Sequence, residues 1–156
     1  MTELLSELER QERQLVFDTF DESTAWTVGV ALRDAGLAAG LPIAISIRRN
    51  GQELFHAALP GASADNDGWL ARKAAVVDRY GQSSLRVGET FRSRGQSFDT
   101  DSRLDTATYA AHGGAFPILI RSTGCIGSIA VSGLPQLDDH QLVIDTLEKL
   151  LGQRSV

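Results

Sequence analysis

The chain is 156 residues long, 42% hydrophobic and 22% charged, with a formal net charge of −5 and one cysteine, Cys125. A single domain of that size holds a core without staples, and the acidic balance excludes nucleic acid and an anionic membrane as default partners. The lone cysteine excludes an internal disulfide, and no apolar run approaches the ~20 residues that span a bilayer.

The opening MTELLSELER is acidic and amphipathic. It lacks the basic region and long apolar run of a signal peptide, so a cytoplasmic protein is expected. Leu4, Leu5 and Leu8 form a stripe that predicts a helix over 3–13, followed by a short strand over 14–17. Asp21 or Ser23 caps a second helix running to about Gly40, with Trp26, Val30 and Leu37 recurring at helical spacing as its apolar positions. Gly40 and Pro42 stop it.

The next segment, IAISIRRNGQELFHAAL, is two alternating runs around Asn50-Gly51. Asn-Gly supplies the positive φ angles of a two-residue type I′ hairpin, which fixes a register. Arg49 then faces Gln52, Arg48 faces Glu53, Ile47 faces Leu54 and Ile45 faces His56. Alternation puts His56 on the isoleucine face. LPGASADNDGW is a turn-rich loop in which Ser63, Asp65 or Asp67 caps a helix over about 66–80. On that helix Trp69, Lys73, Val76 and Tyr80 share one stripe, so Lys73 sits in an otherwise apolar or aromatic line.

Residues 82–93 predict another short helix, and 94–109 a long surface loop with one helical turn around 106–110. AFPILIR and CIGSIAVSG are apolar runs of strand length, joined tightly through Ser122, Thr123 and Gly124. Pro117 donates no ladder bond, so its strand lies at an edge or its proline at a bulge. The chain closes with a helix that Asp138 caps, with Gln141 completing a capping box and Leu142, Val143, Thr146, Leu147 and Leu150 forming the buried stripe. Two hairpins separated by helices make one α/β (α+β) domain over 1–156 with a largely antiparallel sheet.

Four groups of residues carry candidate chemistry. His56 is either a desolvated imidazole offered to a ligand or a satisfied half-buried histidine. Tyr109, His112, Gly113 and Gly114 stand at the start of a strand, where glycines permit a ligand or another backbone to approach closely. Lys73 is a further ligand-binding candidate. Asp65, Asn66, Trp69 and Arg72 gather at a helix start, as a small-molecule site, a subunit contact, or ordinary capping under a snorkelling lysine. An interface role is the expectation for these four. Asp138, Asp139 and His140 are adjacent on a helix and point in different directions, so no metal is expected there. Cys125 reads as a small core residue.

Two stretches, PIAISIRRNGQELFHAALPGASADNDGWLARKAAVV and YAAHGGAFPI with GCIGSIAVSGLPQLDDHQLV, resemble the haem-degrading-domain family of HbpS-like and GlcG-like proteins, in its compact branch of uncharacterised conserved proteins. The resemblance runs from about residue 10 to residue 150. It implies a sheet of about five antiparallel strands in profilin-like α/β/α layers. It also implies homo-oligomers and a link to haem or another small ligand. No C-x-x-C-H haem-attachment pattern is present, and the hairpin and the DN-x-x-W segment depart from the HbpS type, so no haem residue is carried over by position. Three functional readings follow. The first is an oligomeric small-molecule-binding domain, the second an assembly module without ligand, the third an enzyme using a histidine as acid or base.

Overall fold

The computed structural model describes residues 1–152. In chain order the elements are α1 (Glu3–Gln14), α2 (Glu22–Ala38), β1 (Ala44–Arg49), β2 (Gln52–Ala58), α3 (Ala64–Tyr80), α4 (Ser84–Ser93), α5 (Phe98–Asp101), β3 (Ala115–Ile120), β4 (Gly124–Ser132) and α6 (Gln136–Gly152). The strands form one sheet in the order β2-β1-β4-β3, antiparallel throughout.

Strand alternation sorts the side chains by size. Ile43, Ile45, Ile47, Phe116, Ile118, Ile129 and Val131 join α2 and α6 in the large core. Ala44, Ala115 and Ala130 face α3, where they pack with Leu70 and Val77. Large residues on one face and small ones on the other let α3 lie close to the backbone of β3 and β4. This is an α/β/α arrangement, as the family resemblance implies. Among the described residues no helix is long and apolar enough to cross a membrane.

Several local expectations are corrected. The sheet has four strands, not about five. The predicted strand over 14–17 shrinks to a single bridge between Phe17 and Ile120, beside the outer edge of β3. The helical turn of the long loop lies at Phe98–Asp101 rather than around 106–110. Helix α6 begins at Gln136, ahead of the predicted cap at Asp138. On α2 the predicted apolar stripe faces solvent, with Trp26 58%, Val30 39% and Leu37 42% exposed. Its buried face is built from Ala25, Val28, Gly29, Leu32 and Gly36. A Cβ on Gly29 would lie 2.4 Å from the Phe55 ring, so the helix seats on that ring only through a glycine.

The hairpin keeps its turn and its first two predicted pairs and loses the predicted register beyond them. Asn50 and Gly51 have φ of 51° and 81°, and Arg49 and Arg48 face Gln52 and Glu53. A bulge between Ile47 and Arg48 then places Ile47 opposite Phe55 and Ser46 opposite His56. One extra residue moves every later side chain to the other face. His56 therefore leaves the isoleucines and points toward α3. Pro117 sits on β3, an edge strand, opposite Ser128.

Candidate functional site

Helix α3 starts after Ser63, whose N–H donates to Asn66 Oδ1 at 2.9 Å. One turn further on is Trp69, and the next turn brings Lys73 onto the sheet. Lys73 is 2% exposed and its Nζ donates to Val131 O at 2.6 Å, Gly113 O at 3.0 Å and Asp139 Oδ2 at 3.3 Å. Asp139, in the first turn of α6, also accepts the Leu134 N–H at 3.0 Å. Burial pulls Lys73 below its usual range and Asp139 above its own, and the opposite charge at each counters the effect. Three acceptors occupy all three ammonium donors, which is the environment of a charged lysine tied into a structure. Lys73 thus clamps the 113–114 turn, β4 and α6 together.

The glycine pair serves this clamp. Gly114 has a φ of 134°, and a Cβ there would lie 2.3 Å from Lys73 Nζ and 2.4 Å from Val131 O. A Cβ on Gly113 would lie 2.3 Å from Gln136 O, and its N–H donates to Gln136 Oε1 at 3.0 Å. The close approach permitted by these glycines is taken up by groups of the chain itself.

Above the clamp lies a cleft of about 280 Å³, bounded by the start of α3, the His112-Gly113 turn and the β4–α6 junction. Asp65, Asn66, Trp69, Lys73, His112 and Gly113 line it, together with Ser132, Gln136 and Asp139. Trp69 and His112 meet edge to face with ring centres 5.2 Å apart, and the Arg72 guanidinium lies 4.1 Å over the Trp69 ring. Among the described residues no group hydrogen-bonds the His112 imidazole. Partial burial lowers its pKa, nearby Lys73, Arg92 and Arg72 act the same way, and Asp99 opposes them. At neutral pH the ring therefore carries an available lone pair. On the far side of His112 a second depression of about 240 Å³ is lined by Arg92, Gln96, Ser97 and Asp99, so the histidine is a wall shared by two clefts.

The structure thus unites two clusters that stand apart in sequence. Asp65, Asn66, Trp69 and Arg72 gather with Lys73, His112 and Gly113 around one cleft, with Gly114 beneath it. Two candidates lie elsewhere. His56 Nε2 is 2.7 Å from Asp67 Oδ1, in a separate surface cleft with Ser46, Arg48 and Glu53. Tyr109 packs beside Val76 and Phe98, with the Arg79 guanidinium 5.8 Å from its ring centre. The sequence reading weighs Asp139 only with Asp138 and His140, not as the partner of Lys73, and does not single out Gln136. The available signal was Lys73 itself, because a lysine in an apolar stripe demands a buried acid. His140, next to Asp139, is buried, with Nε2 2.7 Å from Gln11 Oε1, and desolvation lowers its pKa to about 4.

These features define the class. The chain belongs to the family described as haem degrading protein HbpS-like, which matches residues 20–148. It is 50% identical over 149 residues to UPF0303 protein SCO2848 of Streptomyces coelicolor, covering 96% of this chain and 94% of that protein. Among solved structures it is similar to the Ybr137w protein, with a TM-score of 0.87, 31% identity, and coverage of 96% of this chain and 88% of that one. The crystal structure titled PduOC:Heme Complex superimposes with a TM-score of 0.66 at 19% identity, over 83% of this chain and 91% of that one. At that identity the second likeness is one of fold.

Proposed function

We propose that this chain is a homo-oligomeric small-molecule-binding domain whose ligand seats in the His112–Trp69 cleft. One observation carries the reading. An accessible imidazole without a hydrogen-bond partner among the described residues faces Trp69, with the Arg72 guanidinium over the same ring. A flat ligand with an acidic group matches that chemistry, because Trp69 offers an apolar wall and Arg72 beside it a carboxylate partner.

Haem is the first member of that class to test. The residues present fit it: His112 would offer a neutral nitrogen to the iron, Trp69 a wall for the ring, and Arg72, beside Trp69, a cation for a carboxylate. The family membership and the haem complex of PduOC support the choice. A bound haem would supply iron redox chemistry, while the chain's own residues bind and orient it. The cleft of about 280 Å³ is at the low end for ligand sites, so it encloses a small organic acid more completely than a haem.

Thermal unfolding in the presence of haemin and of small aromatic carboxylates tests the reading. A ligand at 100 times its Kd stabilises the fold by about 2.7 kcal/mol, a Tm rise of roughly 5–10 °C for a domain of this size. The rise is expected in the native chain and in His56→Ala, and is lost in Trp69→Ala. A rise unchanged by Trp69→Ala contradicts the site. No response to any member of the class favours the assembly module.

A further inference from the structure

The bulge in the hairpin does more than turn His56 around. On β1, Ser46 and Arg48 share one face, and their partners across the ladder are His56 and Glu53. His56 and Glu53 lie three residues apart, and strand alternation alone would put them on opposite faces. Leu54 is the extra residue that brings them to the same one. Bulges that re-aim a side chain gather beside active sites. Helix α3 completes the group, because Asp67 in its first turn reaches His56.

Two hydrogen-bonded dyads thus line one open cleft of about 300 Å³. In the first, His56 Nε2 lies 2.7 Å from Asp67 Oδ1. A carboxylate acceptor there makes Nε2 the protonated nitrogen and leaves the Nδ1 lone pair for another proton. Among the described residues nothing hydrogen-bonds Nδ1. In the second, Ser46 Oγ donates to Glu53 Oε2 at 2.6 Å, with Ser46 only 3% exposed. Arg48 lines the same cleft, its Nη2 donating to Gly51 O at 3.2 Å and its Nη1 3.8 Å from Glu53 Oε2. Leu70 adds an apolar wall. An oriented base, a cation and an apolar wall are the parts that ester hydrolysis uses.

We propose that this cleft is a general-base site for the hydrolysis of small carboxylic esters, with His56 as the base and Asp67 positioning it. Water attacks the ester carbonyl carbon while His56 Nδ1 takes its proton. The carbonyl oxygen becomes an oxyanion, and Arg48 supplies positive charge beside it. The bond to the alkoxy oxygen then breaks, and the imidazolium returns its proton to that oxygen. The products are the acid and the alcohol, and nothing is oxidised or reduced. The site shares no lining residue with the His112–Trp69 cleft, so it stands or falls apart from the function proposed above.

Release of p-nitrophenolate from p-nitrophenyl acetate at neutral pH tests it, against imidazole at the protein's own concentration. Circular dichroism confirms that each variant is folded. The native chain is expected to show saturable, repeated turnover above the imidazole rate. His56→Ala lowers kcat/KM by about 100-fold, the low end for loss of a general base. Asp67→Asn lowers kcat by about 10-fold and leaves KM unchanged, since Asp67 orients the base without touching the ester. Arg48→Gln lowers kcat by about 10-fold, because its charge meets the oxyanion only as the oxyanion forms. A native chain no faster than imidazole, a single product per chain, a rate that never saturates, or a rate unchanged by His56→Ala overturns the site. Loss in His56→Ala with full activity in Asp67→Asn overturns the positioning role of Asp67.

Discussion

Removing one member of the Lys73–Asp139 pair strands the other charge in the interior. Asp139→Asn is expected to cost about 3–5 kcal/mol in urea unfolding, and Lys73→Met combined with Asp139→Leu to recover part of that loss. A cost below 1 kcal/mol for the single change would show that the clamp does not hold the cleft floor. His56 and Asp67 behave differently, because their side chains are 37% and 48% exposed. Asp67→Asn is expected to change stability by less than about 1 kcal/mol. His140 gives the pH dependence. Its pKa falls on folding, from near 6.5 to about 4, so the unfolded chain binds the proton more readily. Its contribution to stability is full above pH 6.5 and is lost as pH falls toward 4, amounting to about 3 kcal/mol over that window. Urea midpoints measured from pH 7 to pH 4 should drop steeply in the native chain and more gently in His140→Gln.

At the scale of elements, the sequence shows where each unit begins more clearly than which way it faces. Asn50-Gly51 announces the hairpin because positive φ at two successive residues is a local property. The bulge that turns His56 around is not local. It follows from Phe55 entering the core against Gly29, a contact between segments 26 residues apart in sequence. The orientation of α2 hides for the same reason. Its buried face is made of small residues that give no hydrophobic signal, while its large ones stay outside. Gly29→Ala is therefore a sharp test. The added methyl meets the Phe55 ring, and a loss of about 1–3 kcal/mol is expected in thermal or urea unfolding. Phe55→Leu in the same chain should return part of it. A neutral Gly29→Ala would mean that α2 does not seat on Phe55.

For the whole molecule, topology does what composition does not reveal. His112 and Trp69 are separated by 43 residues in the chain, and only the packing of α3 across β3 and β4 brings them to 5.2 Å. The residue types of the cleft were legible in the sequence: a histidine beside two glycines, and a tryptophan followed by an arginine and a lysine. Their meeting was not, nor was Asp139 as the partner of Lys73.

The central claim is that His112 presents a free imidazole to a ligand in this cleft. The most direct measurement is a haemin titration followed by Soret absorbance, for the native chain, His112→Ala and His56→Ala, at pH 7 and again below the ordinary histidine range. A saturable shift is predicted for the native chain and for His56→Ala at pH 7. It should be absent in His112→Ala and weakened by acidification, because the proton would take the lone pair that His112 would offer the iron. A flat titration of the native chain, or an equal shift in all three proteins, would contradict the claim.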